Sequence, residues 1–502
     1  MFLTVDRDDA APMSRQIYSR LRELILAGGL PAGAKLPSSR ALAKELGVSR
    51  NVTLEAYDLL YAEGFTEAAR GSGTFVAEGT SFAPAAPKAP LEVDVGEEEG
   101  GGYPGAILFR SGTPDLSLFP ARLWLSLLRE AFAGGTCEIL GYGRPEGRPE
   151  LRGAIREHVV SRRGVVCSDD QIVITMGATQ GVGIAAALLA SENASNSDAR
   201  RVVVVEDPVT EGLQRILEAF RVTLRPVPAD ELGMRTDLLS GATPAFVYVT
   251  PSHQYPIGGT LPIRRRLELL RYARDTGCYV LEDDYDSEFR FDGPPLSSVH
   301  SLDPSRVIYA GTFSKTLCPA IRVGYLVLPP ELVATARTLK WRNDLHNEIA
   351  TQLALAAFIR RGYYVRHLAR MRKVYARRRS ATVEALSESF GSDVKILGSA
   401  TGLHLCARWE GVVFTPEVLA DLAREGCVVR SAASHCLVSP ERYEDTLILG
   451  YGNLKETEIR RGVEILRRVR SLNRNARMTS SVSSVLLEGA LPCPSFPPSS
   501  RG

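Results

Sequence analysis

Apolar residues recur three and four positions apart soon after the chain begins. Ile17, Leu21, Leu24 and Ile25 share one face, Gly28 and Gly29 close the stretch, and Pro31 follows it. That spacing predicts a helix. A second opens at Ser38, with Leu42 and Leu46 on one side and Gly47 as its breaker. After a short turn Ser49 is placed to cap a third, whose Val52, Ala56, Leu59 and Leu60 point inward. Two short helices joined at a glycine form the helix-turn-helix pattern. From Phe65 to Val76 apolar strands flank Gly71-Ser72-Gly73, a tight turn that predicts a wing.

The larger part of the chain has another rhythm, in which short β-branched runs alternate with longer amphipathic stretches. Strands are predicted at Ile172–Thr175, Val202–Glu206, Ala245–Thr250, Tyr279–Glu282, Val307–Ala310 and Val323–Val327, with helical spacing between many of them, as over Arg265–Thr276. Such alternation gives an α/β fold, a mostly parallel sheet covered on both faces, whose ligands gather at the carboxyl ends of the strands. Two stretches carry neither period: Thr80–Gly105 is rich in Pro, Ala, Gly and Glu, and the last residues are rich in Ser and Pro. The expected division is therefore residues 1–76, a flexible linker over 77–105, a large domain over 106–474 and a disordered tail over 475–502.

Composition narrows this reading. With 44% apolar and 24% charged residues the chain matches soluble globular proteins. No apolar run reaches the roughly 18 residues that cross a bilayer, and the amino terminus carries acids where a signal peptide needs bases. A cytoplasmic protein with no membrane partner is expected. Eight cysteines stand singly with no CxxC pair, which fits neither a disulfide framework nor a zinc site, so no metal is expected. The net charge of +2 is silent about nucleic acid, but its distribution is not. From Ser14 to Arg50 there are seven basic residues against two acidic ones, whereas Asn51–Val76 sets Arg70 against Glu55, Asp58, Glu63 and Glu67. The basic groups, Arg40 among them, gather where the second helix and the start of the third would face a phosphate backbone. Ser49, Arg50, Asn51 and Thr53 open the third helix, the part that reaches base edges; Arg50 suits guanine and Asn51 suits adenine. Gly73, in the turn of the wing, completes this DNA-facing set. The same pattern taken alone also suits a three-helix dimerisation module. The segment Leu36–Val76 resembles, over nearly its whole length, the winged helix-turn-helix of GntR-type bacterial transcription factors, although Val52-Thr53 stands where that family usually reads Thr-Val.

In the large domain, Tyr309–Pro329 places Lys315 in a Ser/Thr-rich turn after a strand, with Arg322 seven positions on. A lysine that condenses with an aldehyde, beside Thr312, Ser314 and Arg322 for a phosphate, suits an anionic carbonyl cofactor. Val280–Asp284 ends a strand in carboxylates, one of which can pair with a pyridinium nitrogen. Thr175–Gly181 runs from a strand into a small-residue turn that opens a helix, a ready phosphate site.

In that order these pieces resemble the fold-type I aminotransferases that use pyridoxal 5′-phosphate (PLP). The resemblance extends over about Leu108–Leu472 and includes GYGRPEGRPELRGAI, TPSHQYPIGG, LEDDYDSEFR and GTFSKT. It implies Lys315 as the Schiff-base lysine, Asp283 as partner of the ring nitrogen and Tyr285 as partner of the ring hydroxyl. Gly177, Ala178, Thr179, Thr312, Ser314 and Arg322 match phosphate-cradle positions. His253 falls beside the cofactor, and Tyr142 matches a tyrosine that reaches the neighbouring subunit's phosphate, which implies a homodimer. A smaller carboxyl-terminal α/β lobe belongs to the same fold. A GntR-like module joined to such a domain resembles the MocR family of transcriptional regulators. That resemblance implies a regulator that binds promoter DNA and senses PLP or an amino-acid-like effector through an aldimine at Lys315. The alternative is an aminotransferase whose front module serves assembly. Two departures bear on the choice. Thr210 stands where relatives stack a tyrosine on the ring, and Ile448 stands where aminotransferases commonly hold the substrate carboxylate with an arginine, with Arg430 nearby in sequence.

Overall fold

In the amino-terminal unit the apolar stripes become the interior of a three-helix module. Helix α1 (Met13–Leu26), α2 (Ser39–Leu46) and α3 (Arg50–Ala62) precede a hairpin of β1 (Thr66–Ala69) and β2 (Gly73–Val76). The structure, a computed structural model, describes residues 3–69, 72–80, 103–191, 202–241 and 243–470, so the expected tail and most of the expected linker lie outside the described residues. Ile17, Leu21, Ile25, Leu42, Ala56 and Leu60 form one buried cluster with Leu36 and Val76. Ser38 caps α2 by accepting from the Ala41 amide, and Gly47 ends it in the left-handed conformation at φ +63°. Two expectations are corrected. Ser49 sits at the amino end of α3 with extended backbone but makes no side-chain cap. Thr53, expected at a base edge, is fully buried, and its hydroxyl donates toward the carbonyls of Ser39 and Arg50 at 2.9 Å. The face that Thr53 occupies is the one packed against α2, so helical spacing excludes it from the outer surface.

The second unit begins with β3 (Ile107–Leu108), followed by α4 (Ala121–Ala133), α5 (Thr136–Leu140) and α6 (Pro149–Arg163). Then come β4 (Ile172–Thr175), α7 (Ala178–Ser191), β5 (Val202–Asp207), α8 (Glu211–Glu218), β6 (Thr223–Asp230), β7 (Gly233–Met234), β8 (Phe246–Val249), α9 (Ile263–Thr276), β9 (Tyr279–Asp284), β10 (Val307–Thr312) and β11 (Gly324–Val327). These strands form one sheet in the order β4-β11-β10-β9-β8-β5-β6-β7. The run from β10 to β6 is parallel; β11 and β7 are antiparallel to their neighbours.

Alternation along each strand divides the core. Val203 and Val205 of β5 pack with residues of α7, α8 and α10 (Pro330–Asp344), while Val204 packs with Leu269, Leu270 and Ala273 of α9 on the other face. Helices α11 (Ile349–Arg360) and α12 (Tyr363–Phe390) lead to the smaller lobe. There β12 (Lys395–Leu397), β13 (His404–Arg408), β15 (Arg430–Ser431) and β16 (Thr446–Gly450) form an antiparallel sheet. Helix α13 (Pro416–Arg424) precedes β14 (Cys427–Val428), which pairs with β3 and so returns the start of the domain to this lobe. No helix among the described residues is long and apolar enough to cross a membrane.

Candidate functional site

Strand β11 determines where the site forms. Its first residue, Gly324, stands in register with Thr175 at the end of β4 and with Thr312 at the end of β10. The turn before α7 and the turn that carries Lys315 are thereby brought side by side. The approach leaves no room for a side chain, since a Cβ on Gly324 would lie 2.8 Å from the Gly177 carbonyl carbon. Arg322, in the left-handed conformation at φ +47°, donates to the Met176 carbonyl, and its guanidinium lies over Gly177. Thr312 and Ser314 join through their hydroxyls at 3.1 Å, and Ala178 and Thr179 open α7 with their amides at its positive end.

Ala178, Thr179, Thr312, Ser314 and Arg322, but not Gly177, line one cavity of about 490 Å³ with Lys315, Asp283, Tyr285, Tyr248, Thr250, Tyr255, Ser111 and Gly112. A Cβ on Gly112 would come within 3.1 Å of Lys315 Nζ, so a glycine is needed where the chain passes the lysine. The two acids that end β9 diverge because successive side chains leave a strand on opposite faces. Asp284 turns away and pairs with Arg163 at 2.7 Å and with the Tyr309 hydroxyl. Asp283 lines the cavity, accepts from Tyr248 at 2.7 Å through Oδ2, and leaves Oδ1 buried without a hydrogen-bond partner. Burial pushes its carboxyl up to about 6. Glu206, held by Thr250 behind it, is likewise raised to about 7 by burial.

Expected residues do not all reach the cavity wall in the same way. Tyr285 lines it, but its hydroxyl donates to the His253 carbonyl at 2.9 Å. His253 itself is not among the lining residues; it lies fully buried behind Tyr285, with Nδ1 2.9 Å from Asp286 and its ring against that of His404. His253 thus stands one layer behind the cavity wall rather than on it. Tyr142 is 89% exposed, is not among the residues that line this cavity, and packs edge-on to His346. Thr210 lines the cavity, so no aromatic ring stands at that position, while Ile448 is buried among Ile257, Leu397, Cys406 and Ala432. Arg430 and His435 also line it. Sequence reasoning did not single out Tyr248 or His435, which no motif surrounds, nor Ser111 and Tyr255, although Tyr255 lies within TPSHQYPIGG. A polar residue one strand away from a functional strand end was the available signal for Tyr248.

In the front module Arg40, Ser49, Arg50 and Asn51 are exposed along α2 and the opening of α3. Gly73 is exposed at φ +123° in the wing, where a Cβ would lie 2.8 Å from Lys35 Cε. Arg70 and Gly71 of the wing lie outside the described residues.

Comparison with known proteins agrees with both halves. Residues 13–76 match bacterial regulatory proteins of the gntR family, and residues 107–466 match aminotransferase class I and II. The probable rhizopine catabolism regulatory protein MocR of Rhizobium meliloti is 33% identical, over 93% of this chain and 95% of its own. The pyridoxine biosynthesis transcriptional regulator PdxR of Corynebacterium glutamicum is 32% identical, over 89% and 93% respectively. Among solved structures, the α-aminoadipate aminotransferase LysN of Thermus thermophilus, complexed with N-(5′-phosphopyridoxyl)-L-leucine, superposes with a TM-score of 0.65 at 25% identity, covering 73% of this chain and 92% of that one. The chain thus belongs to the MocR family of transcriptional regulators, a GntR-type winged helix-turn-helix fused to an aminotransferase-fold domain.

Proposed function

We propose that this regulator binds PLP in the large domain and promoter DNA through the winged helices, and that an effector at the PLP site changes its DNA binding. The observation that carries the reading is the unpartnered, buried Asp283 Oδ1 in the same cavity as Lys315. An acceptor kept out of water without a partner is costly, and a protonated ring nitrogen would relieve it. When bound, PLP supplies an aldehyde electrophile on an electron-withdrawing ring. Lys315 would hold it covalently, and Gly177, Ala178, Thr179, Thr312, Ser314 and Arg322 would hold its phosphate. Tyr285, braced from behind by His253, flanks the ring, and Tyr142 serves the phosphate of a second copy in a homodimer. Arg40, Ser49, Arg50, Asn51 and the wing at Gly73 meet DNA. The domain boundaries are residues 1–76, 77–105, 106–474 and 475–502. An effector acts only so far as its affinity differs between two arrangements of the protein.

Binding to the DNA upstream of the protein's own gene, with and without PLP and candidate amines, tests this reading. Salt-sensitive, sequence-selective binding is expected, and Arg50→Ala should abolish the selectivity while the cofactor's visible absorbance persists. Steady amino-donor turnover without sequence-selective DNA binding would replace this function with that of an aminotransferase.

A further inference from the structure

Behind the cavity wall three segments of the chain converge on a buried cluster, of which the cofactor reading uses only His253, as a brace. His253 follows β8, Asp286 follows β9, and His404 opens β13 of the smaller lobe. They are 1%, 2% and 0% exposed. One ligand-capable atom of each lies within 4.8 Å of those of the other two. Each residue also keeps a polar atom with no hydrogen-bond partner among the described residues: His253 Nε2, Asp286 Oδ1 and His404 Nδ1. Three such atoms in one cluster are costly to keep from water, and buried polar groups are otherwise hydrogen-bonded or bound to an ion.

The contacts around the cluster prepare its donors. His404 Nε2 lies 3.0 Å from the Pro256 carbonyl, which can only accept, so that nitrogen carries the hydrogen and Nδ1 keeps its lone pair. A backbone carbonyl on the far nitrogen is the usual support of a metal-bound imidazole. His253 Nδ1 stands 2.9 Å from Asp286 Oδ2, so the carboxylate and this ring already face each other. The smaller lobe closes the cluster with backbone alone, since Gly402 has no room for a side chain beside Asp286 and His253.

We propose that His253, Asp286 and His404 hold a divalent transition ion of the zinc class. Two imidazoles and one carboxylate suit such an ion, whereas calcium and magnesium call for oxygen donors throughout. Donors on one zinc stand roughly 3.4 Å apart, so turns of the three side chains bring the cluster onto the ion. Because His404 belongs to the smaller lobe and the other two to strand ends of the large sheet, the ion ties the two together. The expectation of no metal rested on the spacing of cysteines; none of these three is a cysteine, and they lie too far apart along the chain to form a motif.

The test uses the full chain, equilibrated with zinc, freed of loose metal by gel filtration and assayed for zinc by mass spectrometry. About one zinc per chain is expected, and His404→Gln and Asp286→Asn should each weaken its retention about 100-fold or more. Zinc absorption-edge spectroscopy of the wild-type complex should show two imidazoles and no sulfur. Circular dichroism identifies a variant that does not fold, and the wild-type spectrum then decides alone. No zinc retained by wild type, retention unchanged in the folded variants, or sulfur among the ligands would overturn the site.

Discussion

Asp283 is held in an environment that suits a partner better than it suits the empty protein. Its carboxyl, ordinarily at 3.8, is pushed up to about 6 by burial, and Glu206 behind it rises from 4.5 to about 7 for the same reason. A carboxyl with a raised folded-state pKa binds its proton more tightly in the folded chain. Each group therefore contributes stability that is lost as pH rises from about 4 to 7, on the order of 3 kcal/mol apiece. Asp283→Asn should make the cofactor-free protein more stable than wild type at pH 8, by about 2 kcal/mol, while weakening its grip on PLP. Thermal melts at pH 5 and pH 8, with and without PLP, check both signs; a variant less stable than wild type at pH 8 without PLP would refute the account. The acids at the end of β9 were legible in the sequence; which of them lines the cavity was not, and Asp283 was named only through the resemblance. The separation of Asp283 from Asp284 depends on Arg163, which lies 121 residues upstream of Asp284 and meets it only in the folded sheet. Thr53 was misread for the opposite reason: its position near the helix start suggested exposure, and only the packing of α3 on α2 shows which face is inward.

At the scale of elements, β11 is decisive because it lies antiparallel between β4 and β10 and brings the turn before α7 and the turn of Lys315 together at one glycine. Gly324→Ala should push the Gly177 turn away from Thr312 and Ser314 and reduce PLP affinity at least about tenfold, with the fold retained. An absorbance titration with PLP, beside circular dichroism, checks this; unchanged affinity would mean that the turn yields freely. All six strands foreseen from β-branched runs exist, and β9 and β10 continue two residues past the apolar run because their polar ends are buried with partners. Strand β6 was passed over because Thr223–Asp230 contains two prolines. Over Pro226 and Pro228 it pairs only with β5, since β7 begins its pairing at Ala229, so the missing amides face no neighbour.

At the scale of the molecule, the exposed apolar groups Leu140, Tyr142, Trp341 and Leu345 are large for a surface that remains in water. The proposed homodimer predicts that these groups are covered by a second copy and that the mass in solution is twice that of one chain. Leu140→Asp combined with Tyr142→Asp should shift it toward the monomer in sedimentation and lower PLP affinity together; a wild-type monomer at micromolar concentration would exclude the shared site. The expectation of a homodimer came only from the family resemblance, because neither composition nor periodicity marks an interface. A larger consequence follows from the buried acid at the end of β9. A protein that is folded more securely with its ligand than without it survives in proportion to ligand supply, because cellular proteases act on the open form. Cells short of vitamin B6 would then hold fewer copies of the regulator as well as emptier ones. Its half-life, followed by pulse-chase labelling in starved and replete cells, would lengthen with the vitamin in wild type and lose that dependence in Asp283→Asn.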